Sequence, residues 1–195
     1  MTHSTFSQGQ QSEGEQFKED FSQKNLANNS FSDCLFESCN FMESNLQNCK
    51  FFSCKFTNCN LSLLKLDNCH LQEIKFIDCK ITGAEFYKCY HKFFSVNFKK
   101  CLLQYCNFSD LNLKNISFAQ CKLKDSHFIN TNLVSADFSN VDLAGTTFHN
   151  CDLSRADFSS AIRYDIDPQT NKTKQTKFSL PEAVRLLLAF DITIV

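Results

Sequence analysis

Residues 31–61 read FSDCLFESCNFMESNLQNCKFFSCKFTNCNL, and stepping through them by five always lands on a large apolar residue: Phe31, Phe36, Phe41, Leu46, Phe51, Phe56, Leu61. The step extends back to Leu26 and Phe21 and forward through Leu66, Leu71, Phe76, Ile81 and Phe86. It slips by two residues at Tyr90-His91, resumes at Phe93 and continues from Phe98 to Phe158, with Leu and Phe alternating from Leu103 onward. A second column lies two residues before these centres and holds all 12 cysteines of the chain. Where it is not Cys it is mostly small or apolar, as at Ser44, Ala84, Val96, Ala136 and Ala156.

A period of five fits neither regular element. On an α-helix five residues advance about 500°, which carries the apolar centres around every face. On a straight strand an odd step sends successive centres to opposite faces. The pattern closes only if each unit is a short extended piece followed by a corner, so that the centre and the residue two before it both point inward. Four corners make a coil of about 20 residues. The run predicts about seven coils, a four-sided all-β solenoid about 34 Å long at the strand spacing of about 4.8 Å. In the alternating half, Leu should face Leu and Phe should face Phe across the interior.

Units such as Ala136-Asp137-Phe138-Ser139-Asn140 and Ala156-Asp157-Phe158-Ser159-Ser160 resemble the pentapeptide-repeat motif, small-Asp/Asn-Leu/Phe-polar-any. That resemblance implies a right-handed quadrilateral β-helix. The expected organisation is a flexible leader over 1–16, the solenoid over 17–160 with its slip at 90–91, and a C-terminal segment over 161–195.

The twelve cysteines could suggest metal or disulfides. Structural zinc sites need short spacings that converge on one point, whereas these lie five, ten or twenty apart. Stacked neighbours are expected about 4.8 Å apart at Cβ, beyond ordinary disulfide reach. Cys is therefore read as a small buried hydrophobe. No metal, cofactor or catalytic site is expected, because a filled solenoid offers no cleft and no phosphate-cradling glycine loop is present.

An exposed strand edge at each end of a solenoid needs covering. Ser179-Leu180-Pro181-Glu182 has the spacing of a capping box. Leu180, Ala183, Val184, Leu187 and Leu188 then recur at helical spacing, and Ile192, Ile194 and Val195 alternate like a strand. Tyr164 to Lys177 reads as a turn-rich connector. The ending resembles that of family members that inhibit or protect bacterial type II topoisomerases, several of which pair two copies tail to tail. It is read either as a cap within one chain or as a homodimer contact.

Two surface features are candidate contact sites. Asp125, Asp137, Asp142, Asp152 and Asp157 form an acidic group opposed between 125 and 160 only by Arg155. It is either a solvated repeat face or a mimic of DNA phosphates. Around the slip stand Tyr87, Tyr90, Phe94 and Tyr105 with Lys88, Lys92, Lys99 and Lys100, either a contact seam or a tolerated insertion. With 20 Lys and Arg against 21 Asp and Glu, no global field favours direct nucleic-acid or membrane binding. Residues 1–16 lack the apolar run of a secretory signal, and free thiols suit the cytoplasm. The resemblance implies a non-enzymatic protein partner, DNA gyrase or topoisomerase IV, with a general protein scaffold as the alternative.

Overall fold

The computed structural model describes residues 9–190. The chain winds as a right-handed, four-sided β-solenoid of about eight turns, all of its strand pairings parallel. Each face carries one column of apolar centres. The first face runs from Phe21 through Phe41, Leu61, Ile81, Leu103 and Leu123 to Leu143, and the second from Leu26 to Ile166. The third begins at Ser12 and passes Phe31, Phe51 and Leu71 before Leu113, Leu133 and Leu153. The fourth stacks Phe17, Phe36, Phe56, Phe76, Phe98, Phe118, Phe138, Phe158 and Phe178, with successive ring centroids 4.5–5.6 Å apart. In the alternating half the second and fourth faces are both Phe and meet edge to face, as Phe108 and Phe118 do at 5.6 Å. The Leu columns lie opposite each other, as the alternation requires.

Corners are made two residues after each centre, where the backbone turns left-handed. Gln23, Asn28, Asp33, Ser38, Glu43 and Asn48 have φ of 53–66°, and the series continues to Gln175. The N–H at each corner reaches a carbonyl in the next coil, as in Asn28 to Gln47 (2.9 Å) and Asp33 to Phe52 (3.0 Å). Left-handed backbone is costly for most L-residues and least so for Gly, Asn and Asp. That explains the polar corners. Gly83, at φ +70°, fills one such corner, where an added Cβ would lie 3.0 Å from Leu63 Cδ2 and that exposed side chain would have to shift.

The residue before each centre has its own task. Asn40, Asn45, Asn107, Asn132, Asp137, Asp142, Asp152 and Asp157 each accept the backbone N–H two residues on, at 2.9–3.3 Å. These Asx-type bonds explain the Asp/Asn of the repeat as local backbone chemistry. Amides also bond along the rod axis, Asn68 to Asn48 at 2.9 Å and Asn48 to Asn28 at 3.2 Å.

Three expectations are corrected. The coil begins at Gln11, inside the expected leader: strands β1 (Gln11–Glu13) and β2 (Gln16–Phe17) pair with Ser30–Ser32 and Leu35–Phe36. It was hidden because the first centre is Ser12 and the first coil is one residue short. The connector is the last coil, with Ile162 bridging Asp142, Ile166 on Phe148 and Lys177 bridging Asp157. There the corner loses two residues and Tyr164, fully buried, fills an inward position normally small. The slip at 90–91 does not carry through the rod. Phe98 pairs in register with Phe76 and Leu103 with Ile81, so the extra residues stay in one corner.

The terminal segment forms a helix over Glu182–Phe190, of 3₁₀ type. Its period of three puts Ala183, Leu186 and Ala189 on the half-buried side and leaves Leu187 exposed, unlike the α-helical face expected. The capping box does not form: Glu182 accepts from the Arg163 N–H (2.9 Å), and the Ser179 hydroxyl donates to the Ser159 carbonyl. Both satisfy open groups of the last coil. The expected strand at Ile192, Ile194 and Val195 lies outside the described residues.

The corner geometry predicts that Asn48→Val, which forces a β-branched residue left-handed and deletes two amide bonds, costs about 2–3 kcal/mol. Asn48→Gly should cost about 1 kcal/mol, since only the amide bonds are lost. Chemical denaturation of the two variants checks the difference.

Candidate functional site

Among the described residues the interior is packed with apolar side chains and thiols. All twelve cysteines are buried and free. Most of their thiols donate to backbone carbonyls, as Cys54 does to Phe52 (3.3 Å) and Phe31 (3.4 Å). Thr131 fills an equivalent position and donates to Ile129 and Phe108, both at 3.1 Å. The position takes a small side chain, with or without a donor, since Ala84, Val96, Ala136 and Ala156 are buried there too. Cys39, Cys59, Cys79, Cys101 and Cys121 form one column on the first face that runs through the slip. Burial pushes the Cys49 thiol up to about 11 and those of Cys54 and Cys106 up to about 12, so these sulfurs stay protonated and unreactive. Among the described residues no group of His, Cys, Asp or Glu could hold a metal ion. An interior cavity of about 20 Å³ is lined by apolar side chains, including Leu61, Leu64, Leu66 and Leu71, in the coil with the fewest aromatic centres.

The exposed polar and aromatic side chains stand on the outer faces. The five aspartates are not one stripe. Asp137 and Asp157 share the fourth face, Asp142 lies on the first and Asp152 on the third. Asp125 is a corner residue at φ 49° whose carboxylate folds over Gly145. Three of the five are also partnered by cations of the last coil. Arg163 binds Asp142 through Nε at 2.8 Å and through a second nitrogen, Lys177 meets Asp157 at 3.0 Å, and Lys172 lies 3.8 Å from Asp152. These carboxylates are chain-internal acceptors first.

The aromatic residues at the slip divide too. Tyr87, Tyr90 and Phe93 gather at the corner between the second and third faces. Tyr90 stacks on His70 (4.2 Å), Tyr87 donates to Glu85 (3.1 Å) and Lys92 lies over the Phe93 ring at 5.2 Å. Phe93, expected as a buried centre, is left-handed and 67% exposed. Phe94, expected outside, packs on the core against Phe86. The insertion moves the inward position by one residue, a change periodicity alone does not show. Tyr105 is 59% exposed but stands at the next corner, between the first and second faces, and does not join the cluster. At the C-terminal end Leu187 (41%) and Phe190 (50%) are exposed, and Val184 is half-buried. Leu188 lies in the same helix.

Asp157 provides a test of the ladder. Hydrogen bonds from the Ser159 hydroxyl and N–H, together with Lys177, hold its carboxyl down at about 2. Because the folded value is depressed from 3.8, its stabilising effect is complete above that value and is lost as pH falls through about 2. Thermal melts between these pH values should show a declining midpoint, and Asp157→Asn should flatten the decline.

The pentapeptide repeat region family matches residues 29–92 and 91–161. No curated protein matches the chain. Among solved structures, a trypsin-treated form of QnrB1, a plasmid-mediated fluoroquinolone resistance protein, aligns over 96% of this chain and 98% of its own, with 18% identity and a TM-score of 0.65. A second trypsin-treated form of QnrB1 aligns over 96% and 92%, with 22% identity and a TM-score of 0.50. HetL, a pentapeptide repeat protein involved in heterocyst differentiation regulation from Nostoc sp. strain PCC 7120, aligns over 89% and 88%, with 18% identity and a TM-score of 0.34. At these identities the QnrB1 likeness shows the fold, and the match across the repeats shows the family: the chain belongs to the pentapeptide repeat family.

Proposed function

We propose that this protein is a non-enzymatic, cytoplasmic interaction protein that binds a bacterial type II topoisomerase, DNA gyrase or topoisomerase IV, and protects it from fluoroquinolones. The observation that carries the reading is a rod filled from end to end, with its chemistry on four regular outer faces. Its overall likeness to a fluoroquinolone resistance protein supports the choice of partner. Any DNA mimicry in this reading rests on the rod's shape, because the five aspartates are spread over three faces and a corner. A general scaffold with another protein partner is the second reading. It is favoured by the exposed Tyr90-Phe93 corner, since exposed aromatics are enriched in protein interfaces.

A gyrase supercoiling assay with and without a fluoroquinolone separates the two. The topoisomerase reading expects added protein to restore supercoiling in the presence of drug. No effect at molar excess overturns it. If Tyr90→Ala with Phe93→Ala abolishes protection, the corner is the contact.

We also propose that the terminal helix pairs two copies of the chain, which would cover Leu187 and Phe190. Light scattering should give the mass of a dimer for the wild type and of a monomer for Leu187→Glu with Phe190→Glu. A monomeric wild type, or an unchanged mass in the variant, overturns this contact.

A further inference from the structure

The near-zero net charge conceals axial banding. Residues 9–49 contain seven carboxylates against two lysines, whereas residues 50–124 contain twelve lysines against five carboxylates and no arginine. The register concentrates part of this excess on two adjoining faces. Lys55 and Lys75 are register partners on the fourth face, where Lys99 follows one coil later. Lys80 and Lys122 flank Leu102 on the first face, with Lys124 beside them. Lys100, left-handed at φ 55°, stands at the corner joining the two faces. Among the described residues none of these seven lysines has an ion-pair partner, whereas Lys18, Lys88, Arg163, Lys172 and Lys177 all do.

We infer that this mid-rod lysine belt binds the phosphate backbone of nucleic acid, independently of base sequence and separately from the topoisomerase contact. Lys55 and Lys75 are directly paired like charges, which repel, and the repeat could have placed Asn or Asp at one of these positions, as it does elsewhere on the rod. A polyanion laid across the two faces removes that repulsion. An open depression of about 260 Å³ on this surface is lined by Lys75, Lys99, Ile77, Asn97 and Ser117, and gives a strand a place to lie. Lysine is depleted in protein–protein interfaces, while nucleic-acid interfaces are strongly cationic, which favours a phosphodiester over an acidic protein surface. The absence of arginine from the belt fits point-charge contact with phosphate, without bidentate recognition. By register Asp78 stands at the corner one coil before Lys100, and Asp142, which Arg163 holds, is the strand partner of Lys122.

The test is fluorescence anisotropy with short labelled oligonucleotides, single-stranded and duplex, and with polyglutamate as a third probe. If about four phosphates are engaged, affinity should fall about a hundredfold between about 50 mM and about 200 mM salt. Lys75→Gln with Lys100→Gln and Lys122→Gln should weaken binding at least about tenfold. The matched change Lys65→Gln with Lys114→Gln and Lys174→Gln, off the belt on the second and third faces, should leave it within about twofold. All six side chains are exposed, and circular dichroism confirms that each variant keeps its coil. Wild-type protein that binds neither oligonucleotide at the lower salt overturns the proposal. Equal losses in the two variants overturn it too, since only total charge would then matter. Polyglutamate bound as tightly as nucleic acid also overturns it, in favour of an acidic polypeptide.

Discussion

Everything in this protein depends on one backbone requirement: a left-handed residue at nearly every fifth position. Without it a five-residue unit would send successive centres to opposite faces, and no common interior could form. The corner makes Phe and Leu point inward on four sides, and its N–H is tied to the coil above. The residue before each centre then braces the turn through its Asn or Asp side chain. What resembles surface decoration is therefore part of the winding mechanism. A row of aspartates in such a repeat is first a row of braced turns.

The fold was largely legible in the sequence because the two inward columns obey a strict count. The twelve cysteines could be assigned to the core from their position alone, and the donor role of Thr131 and Asn171 at equivalent positions shows why a small side chain suffices. The ends were not legible, for a physical reason. Ser12, within the segment expected as a leader, holds an inward centre with a small polar side chain, and Asn171 fills an inward position with a polar side chain that bonds the Phe148 carbonyl. Hydropathy cannot register such substitutions. The terminal helix kept the predicted location but took a period of three, which changed the residues facing the core. Of the candidate contacts, the Tyr87-Tyr90 grouping could be read from the chain. Phe93 and Phe94 exchanged roles because an insertion moves the register by an amount that spacing does not reveal. The lysine belt had a sequence signal in its charge distribution along the chain, which the total concealed.

The outer surface thus separates into zones with different chemistry. Carboxylates near the C-terminal end are engaged by the next coil, the seven lysines of the belt form no ion pair among the described residues, and the aromatic corner projects beside them. The two proposed contacts, the aromatic corner with an enzyme and the lysine belt with phosphate, would use different zones. One rod could therefore touch an enzyme and a nucleic acid at the same time. The filled interior contributes by keeping these zones at fixed separations.

The corner at 90–95 carries two more residues than its neighbours, yet Phe76 and Phe98 stack at 5.1 Å, the same separation as Phe56 and Phe76. The core does not register how much chain is spent in turning a corner. Segment length at a corner is therefore a nearly free variable for evolution and for engineering. Loops could be grown there, or binding peptides grafted, while the columns beneath keep their spacing. Substitution at a centre has no such freedom, since every centre is held between the coils on either side.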